Sequence, residues 1–258
     1  MNRLLVLLLA LLMLTGCATM QGKVPDHVRP MVAAQELDSA ELLDVAIVIF
    51  DSDELTDKEI SGLGLSEEIR RAEERYVPIQ LKYTMQRTGY WGAVRVVPAP
   101  SKAHLQVRGT IVYSDGERLT LEIEAYDSRN VKWFEKSYSE ELRLSEYSGI
   151  APEKKDPFQD VYNTIANDLA THREELTAED FRQIQQVSEL RAAHDMAPDA
   201  FDGHLEIDKD GNYEIARLPA ENDPMLQRVR AIQLRDDMLV DTINSYYEAY
   251  YNDLWQPY

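Results

Sequence analysis

Residues 105–138 read LQVRGTIVYSDGERLTLEIEAYDSRNVKWFEKSY. Apolar and polar residues alternate on both sides of the pair Asp115-Gly116, which is the period of strands with one buried face. An Asp-Gly pair favours a tight hairpin because both turn positions tolerate positive φ. A second turn at residues 127–130 leads into another strand-like run, residues 131–138. The pattern predicts a three-stranded antiparallel meander with one apolar face.

The residues before the meander predict a parallel strand pair joined by a helix. Residues 45–50 form a short apolar run rich in β-branched side chains, as in a strand buried on both faces. A helix is predicted from Ser66 to Gly89, and Pro78 within it predicts a kink or two helical pieces. Residues 94–97 form the next strand, so the order strand, helix, strand predicts a right-handed parallel crossover.

The second half of the chain is predicted to be mainly helical. Apolar residues at helical spacing indicate helices between residues 158 and 190, and a small hairpin is predicted at residues 204–218. A last helix is predicted to begin at the pair Asp223-Pro224 and to reach Leu254. The predicted fold class is therefore α+β. A mixed sheet, with one parallel crossover plus the antiparallel meander, is covered by helices and followed by a mostly helical C-terminal segment.

The predicted domain boundaries follow from these elements. An α+β domain occupies residues 41–145, and the helical segment with its small hairpin occupies residues 150–258. Residues 17–40 contain Gly22, Pro25 and Pro30 among polar residues, so we expect them to be an extended, lipid-attached tether. The chain ends in aromatic residues without a polar tail, from which we expect the natural sequence to continue past Tyr258.

The first residues predict a secretory signal peptide, residues 1–16. Arg3 precedes an apolar run, residues 4–14, which is about half the length that a membrane-spanning helix needs. The following Leu14-Thr15-Gly16-Cys17 resembles the lipobox of bacterial lipoproteins. The resemblance implies that the Cys17 thiol receives diacylglycerol, that residues 1–16 are removed, and that the new amino terminus is acylated, for example with palmitate.

Cysteine usage supports lipidation of Cys17. It is the only cysteine in the chain, so an exported protein that cannot form an internal disulfide keeps its one thiol where a lipid would be attached. The alternative is an ordinary cleaved signal followed by an incidental cysteine. Ala18 and Thr19 follow, without an aspartate. This resembles the pattern of lipoproteins sent to the outer membrane, and implies attachment at its periplasmic face. Retention in the inner membrane stays open.

Residues 44–140 resemble a known type of domain. The residues that carry the resemblance lie in the runs HLQVRGT (104–110), DGERL (115–119), EAYDS (124–128) and VKWF (131–134), with residues 45–51 as the opening strand. These runs are similar to the amino-terminal domain of TolB and to curli-secretion-channel lipoproteins. The resemblance implies an envelope assembly or partner-docking module and brings no catalytic residue. Residues 141–258 have the character of an uncharacterised lipoprotein family of proteobacteria.

Composition and motifs exclude several function classes. The formal net charge of −19 disfavours binding to nucleic acid or to anionic lipid headgroups. The five histidines form no HxxxH or HExxH pair, there is no second cysteine, and no Gly-x-Ser-x-Gly elbow occurs. We therefore predict no cofactor, no metal and no enzymatic activity. The alternative is an envelope hydrolase that uses the carboxylates of Asp208, Asp210 and Glu214. Hydrolysis by carboxylates requires fixed distances between the carboxyl groups, and a sequence does not give these distances.

The predicted function is that of a lipid-anchored periplasmic scaffold or assembly module of the cell envelope, which binds a protein or cell-wall partner. Aromatic residues are concentrated at the end of the last predicted helix, where they can form a contact surface. The predicted partner-binding residues are Tyr246, Tyr247, Tyr250, Tyr251 and Trp255. A subunit of a secretion channel is a further alternative.

Overall fold

A computed structural model of the chain describes residues 21–52, 67–142 and 156–254. Within these ranges the strands are β1 (Gln21–Lys23), β2 (Val45–Val48), β3 (Asp51–Ser52), β4 (Val94–Val97), β5 (Leu105–Ser114), β6 (Arg118–Asp127), β7 (Lys132–Glu141), β8 (Leu205–Ile207) and β9 (Tyr213–Ile215). The α-helices are α1 (Glu67–Gln86), α2 (Gln159–Glu174), α3 (Ala178–Met196), α4 (Pro198–Phe201) and α5 (Pro224–Leu254).

The main sheet is mixed, with the strand order β1-β7-β6-β5-β2-β4 and with β3 beside β5. Strands β5, β6 and β7 form the predicted antiparallel meander, and β2 and β4 form the predicted parallel pair on either side of α1. Helices cover the sheet, and the C-terminal part is mostly helical. The predicted fold class is confirmed.

The meander buries one face because its apolar residues alternate. In β6 the side chains of Leu119, Leu121, Ile123 and Ala125 are at most 2% exposed, whereas their neighbours in sequence are partly or fully exposed. Helices α1 and α2 pack against each other, and both contribute to the core under this face. Apolar residues of α3 extend the same core, which therefore holds side chains from Val24 through to Ile184.

Helix α1 contains Pro78 and continues on both sides of it as one helix. Because proline has no backbone N–H, the carbonyl of Glu74 loses its usual helical partner four residues later. The N–H of Phe50 donates to this carbonyl at 3.0 Å. The alternative of two helical pieces is wrong. The loop after β2 supplies the hydrogen bond that the proline removes.

Residues 21–40 lie on the folded protein, which corrects the expectation of a free tether for this part of the chain. Strand β1 pairs in parallel with β7, and the next residue, Val24, is 4% exposed. Further along, the N–H of Ala33 donates to the carbonyl of Thr88 at 2.8 Å. The polar and proline-containing composition led to the tether prediction, but it is equally suited to an extended segment that crosses a surface.

Side chains of α2 hold this extended segment by its backbone. Asn163 Nδ2 donates to the carbonyl of Val28 at 2.8 Å. Asn167 bonds the segment twice, since its Nδ2 donates to the carbonyl of Arg29 at 2.9 Å and its Oδ1 accepts from the N–H of Met31 at 2.6 Å. An asparagine amide presents a donor and an acceptor side by side, as a neighbouring strand does. Residues 27–31 therefore have strand-like partners without joining a sheet.

A capping box precedes α3 in the second half of the chain. The side chain of Thr177 accepts from the N–H of Asp180, and Asp180 accepts in return from the N–H of Thr177, which begins α3. The predicted hairpin is formed by β8 and β9. A small second apolar cluster joins α3 to the start of α5 through Leu190, Phe201 and Val229, among others. No helix within the described ranges is long and apolar enough to cross a membrane.

Candidate docking surface

Helix α5 has 31 residues. At the usual helical rise this corresponds to a length of about 45 Å. Asp223 caps its first turn, because Asp223 Oδ1 accepts from the N–H groups of Met225 at 2.8 Å and Leu226 at 3.0 Å. An aspartate is among the residues preferred at this capping position. The helix contacts α3 near its start and β4 further along, so it runs along the β4 edge of the main sheet.

Asn244 fastens α5 to that edge. The N–H of Val96 donates to Asn244 Oδ1 at 3.1 Å, and Asn244 Nδ2 donates to the carbonyl of Val96 at 3.0 Å. An edge strand presents unpaired backbone groups on its outer side, and these need a partner. Asn244, which is 7% exposed, supplies the acceptor and the donor that a neighbouring strand would otherwise provide.

Ion pairs add to this polar attachment. Arg95 of β4 contacts Asp241 through two hydrogen bonds, with Nε to Oδ1 at 2.8 Å and Nη2 to Oδ2 at 3.0 Å. Bidentate contacts of this kind are the strong form of the arginine–carboxylate pair. Lys82 Nζ lies 2.6 Å from Glu248 Oε1. Apart from Leu226 and Val229 in its first turns, α5 thus meets the rest of the protein largely through polar groups.

The side of α5 that is turned away from the protein carries exposed apolar residues. Met225 is 36% exposed, Ile232 42%, Leu239 61% and Tyr246 74%, and these four residues follow one another at intervals of seven. Ile243, 46% exposed, lies on the same side of the helix, and we call these five residues the outer stripe. A surface helix ordinarily turns its apolar side inward. A continuous exposed apolar stripe instead marks an interaction surface.

The predicted aromatic residues differ in their exposure and contacts. Tyr246 belongs to the outer stripe, whereas Tyr247 is partly buried and its hydroxyl accepts from Arg75 Nη1 at 2.9 Å. Tyr250 and Tyr251 lie in the last turns of α5, and Trp255 lies outside the described residues, as does Cys17. Sequence reasoning weighed the aromatic rings and missed the aliphatic members of the stripe, which their seven-residue interval could have indicated.

The carboxylates of the hydrolase alternative lie at the β8–β9 hairpin. Asp208 Oδ1 accepts from the N–H groups of Asn212 and Asp210, both at 2.8 Å. Hydrogen bonds from Asn212 and the neighbouring turn residues lower the pKa of Asp208, so this carboxyl stays ionised and shapes the turn. Glu214 lies on β9 opposite Glu206.

A cleft of about 830 Å³ lies beside α5, where α3, strands β2 and β4, and the loop that leads into β5 approach it. His104 lines it, and its Nδ1 accepts from the N–H of Asp44 at 2.9 Å. Burial lowers the pKa of His104, against the opposing effect of the Asp44 and Glu189 carboxylates. Charged groups of the cleft engage one another, as Lys102 Nζ and Asp195 Oδ2 do at 2.9 Å. No group of three or more histidine, cysteine or acidic residues in the described part of the chain could hold a metal ion.

Comparisons with known proteins give only distant similarities. No family model and no curated protein sequence matches the chain. Among solved structures, a dodecameric PelC variant from Paraburkholderia phytofirmans is similar, with 13% identity, a TM-score of 0.32, and coverage of 58% of this chain and 95% of that one. A Xanthomonas campestris protein of family DUF330 is similar, with 8% identity, a TM-score of 0.29, and coverage of 58% and 90%. Similarities at this level do not establish a shared function.

Proposed function

We propose that this chain is a lipid-anchored, non-enzymatic scaffold of the bacterial outer membrane, which faces the periplasm and docks a protein partner through the outer stripe of α5. The observation that carries this proposal is the reversed polarity of α5. Asn244 and Asp241 face the protein, while Leu239 and Ile243 face outward.

Energetics favour an occupant for the outer stripe. Fully burying a leucine, isoleucine or methionine side chain contributes about 1.5–3 kcal/mol relative to leaving it exposed. Leu239 and Tyr246 are well over half exposed, so most of that contribution is unused within one copy of the chain. A partner that covers the stripe would gain it, after the costs of association are subtracted.

The position of the proposed anchor favours a protein over a lipid surface as the occupant. Cys17 lies four positions before β1. Four residues of extended chain reach at most about 14 Å. Strand β1 lies at one edge of the sheet and β4, with α5 beside it, lies at the other. With strands about 4.8 Å apart, these edges are about 24 Å apart. The lipid would hold the β1 edge near the membrane, with α5 at the far side.

Replacing Leu239 by Glu is expected to weaken partner binding tenfold or more, because a carboxylate would be desolvated in the docked state. Leu239 is largely exposed in the single chain. The stability of the isolated chain should therefore change by less than about 0.5 kcal/mol. The measurement is the mass of the complex that contains the full-length protein after mild detergent extraction of membranes.

Met238→Glu is the matched control, since Met238 is as exposed as Leu239, at 61%. The two residues are consecutive in α5, so the Met238 side chain points about a third of a turn away from that of Leu239 and lies off the outer stripe. We expect the complex to lose mass with Leu239→Glu and to keep it with Met238→Glu. Equal behaviour of the two variants would remove the outer stripe from the proposal.

Replacing Cys17 by Ser is expected to abolish incorporation of labelled palmitate and to release the protein from the membrane fraction. The reason is that acyl chains supply the anchor, at about 0.8 kcal/mol per buried methylene. The checks are metabolic labelling and fractionation of intact cells that express the full-length chain. Unchanged membrane association of the Cys17→Ser variant would contradict lipidation at this residue.

A further inference from the structure

We propose that the occupant of the outer stripe is a second copy of this chain, with the two α5 helices packed antiparallel around a two-fold axis. This inference rests on the proposed function and names its partner. It depends on the spacing of the stripe, on the order of charges along α5, and on the direction of the helix dipole.

The spacing of the stripe fits a helix as the occupant. Residues 232, 236, 239, 243 and 246 follow one another at alternating intervals of four and three. This alternation defines a coiled-coil seam, in which each side chain packs between residues of a facing helix. Four of the five positions are apolar and exposed, and the fifth is Asp236. A single polar residue in such a seam fixes how the two helices align.

Charge is divided cleanly along α5. Its first twelve residues contain three arginines and no acid, and the remainder contains five acids and no basic residue, as residues 224–235 and 236–254 show. This order opposes the helix macrodipole, which favours acids at the amino end and bases at the carboxyl end. The arrangement is therefore unfavourable within one helix. An antiparallel second copy would oppose the two dipoles and would place Arg235, which has no ion pair within the described part of the chain, beside an acid of the other copy.

The centre of the stripe fits this arrangement in detail. We take the arrangement in which residues 225–246 of one α5 lie beside the same residues of the other, in the opposite direction. The midpoint of this overlap falls between Arg235 and Asp236. Arg235 of each copy then faces Asp236 of the other. Both residues are exposed, and neither forms an ion pair with other residues that the structure describes. The seam is thus self-complementary, as a two-fold interface requires.

Local charge also favours a second copy over a basic protein. The whole chain carries a net charge of −19, which would attract a basic partner to most of its surface. Over the stripe, however, the exposed charged residues without an ion pair in the described part of the chain are Arg228, Arg235 and Asp236, because the other charged residues of this span pair with Glu189 and Arg95 of the same chain. A basic partner would meet like charge at these arginines, whereas a reversed copy offers its own Asp236 to Arg235.

A charge swap at the midpoint tests the proposal. The full-length lipoprotein in detergent is expected to form a dimer in sedimentation equilibrium. Arg235→Asp alone and Asp236→Arg alone each place like charges opposite one another, so each should weaken the dimer about tenfold. The double variant, Arg235→Asp with Asp236→Arg, restores opposite charges between copies and should recover affinity to within about threefold of the original. Failure of the double variant to recover would overturn the antiparallel second copy.

Photo-crosslinking in intact cells gives an independent readout of orientation. A photoreactive residue at position 225 should capture a second copy near its residue 246, in cells that express tagged and untagged chains. Capture near residue 225 would indicate parallel helices and overturn the proposal. Capture of a different protein, with the unmodified chain monomeric, would overturn the second copy and leave the proposed function in place. Absence of any capture from positions 225, 239 and 246 would overturn both.

Discussion

Replacing Asp127 by Ala is expected to lower the free energy of unfolding by about 3–5 kcal/mol, the cost of breaking a buried ion pair. The Asp127 side chain is fully buried, and its Oδ2 lies 2.8 Å from Nη2 of Arg129, whose side chain is 15% exposed. Asp127 Oδ1 also accepts from the backbone N–H groups of Arg129 at 2.8 Å and Val131 at 3.3 Å. The substitution would leave these donors and the guanidinium short of partners at once.

The turn that Asp127 organises also joins separate parts of the fold. Arg129 Nη1 reaches Asp180 Oδ1 in the capping box of α3 at 2.9 Å. The carbonyl of Arg129 accepts from the N–H of Tyr213 at 2.8 Å, which attaches the β8–β9 hairpin. Loss of Asp127 should therefore loosen α3 and the hairpin together.

Denaturant unfolding of the Asp127→Ala variant measures this cost. Asp127→Asn is the graded control, because it keeps an oxygen acceptor for the backbone donors while it removes the charge and replaces the oxygen that Arg129 contacts with an amide NH2 group. We expect a smaller loss for Asn than for Ala. A loss below about 1 kcal/mol for Asp127→Ala would show that the buried pair contributes little to stability.

Replacing Asn244 by Leu is expected to cost about 2–3 kcal/mol of stability. The side chains are similar in size, so packing is nearly kept, but Val96 loses partners for both its N–H and its carbonyl. Leaving a poorly solvated backbone group unpaired costs about 1–3 kcal/mol. Because these bonds attach α5 to β4, hydrogen exchange should accelerate in α5 and at Val96 before it does in the meander.

Ser245→Ala is the matched control for Asn244→Leu. Ser245 is exposed, and its hydroxyl donates only within α5, to the carbonyl of Asp241 at 2.8 Å. We expect its effect on stability to stay within about 0.5 kcal/mol. Equal effects of the two substitutions would mean that Asn244 does not hold the helix to the sheet.

Local patterns in the sequence predicted most of the sheet. The alternation in residues 105–138 and the Asp115-Gly116 turn fixed the meander, because each signal depends on neighbours within a few residues. The capping box at Thr177 is likewise local. Pro78 by itself predicts a kink or two helical pieces, because the hydrogen bond that compensates for it comes from the N–H of Phe50, in the loop after β2.

Contacts between distant residues were beyond sequence reasoning. The pairing of Asn167 with Arg29 and Met31 joins positions more than 130 residues apart, and so does that of Asn244 with Val96. An asparagine in a helix gives no sign of which backbone it will bond. For the same reason, the length of α5 was predictable, but which of its sides meets the protein was not. The seven-residue interval marks an apolar stripe in the sequence, but only the inward position of Asn244 shows that the stripe faces outward.

Hydroxyl-radical footprinting of native membranes, compared with the dilute purified protein, tests most directly whether the outer stripe is covered. Leu239 and Met238 are adjacent in α5 and both 61% exposed, so each reports on a different side of one helix. We predict that Leu239 and Tyr246 are protected in membranes while Met238 reacts equally in both samples. Equal reactivity of Leu239 in the two samples would show that nothing docks on the stripe.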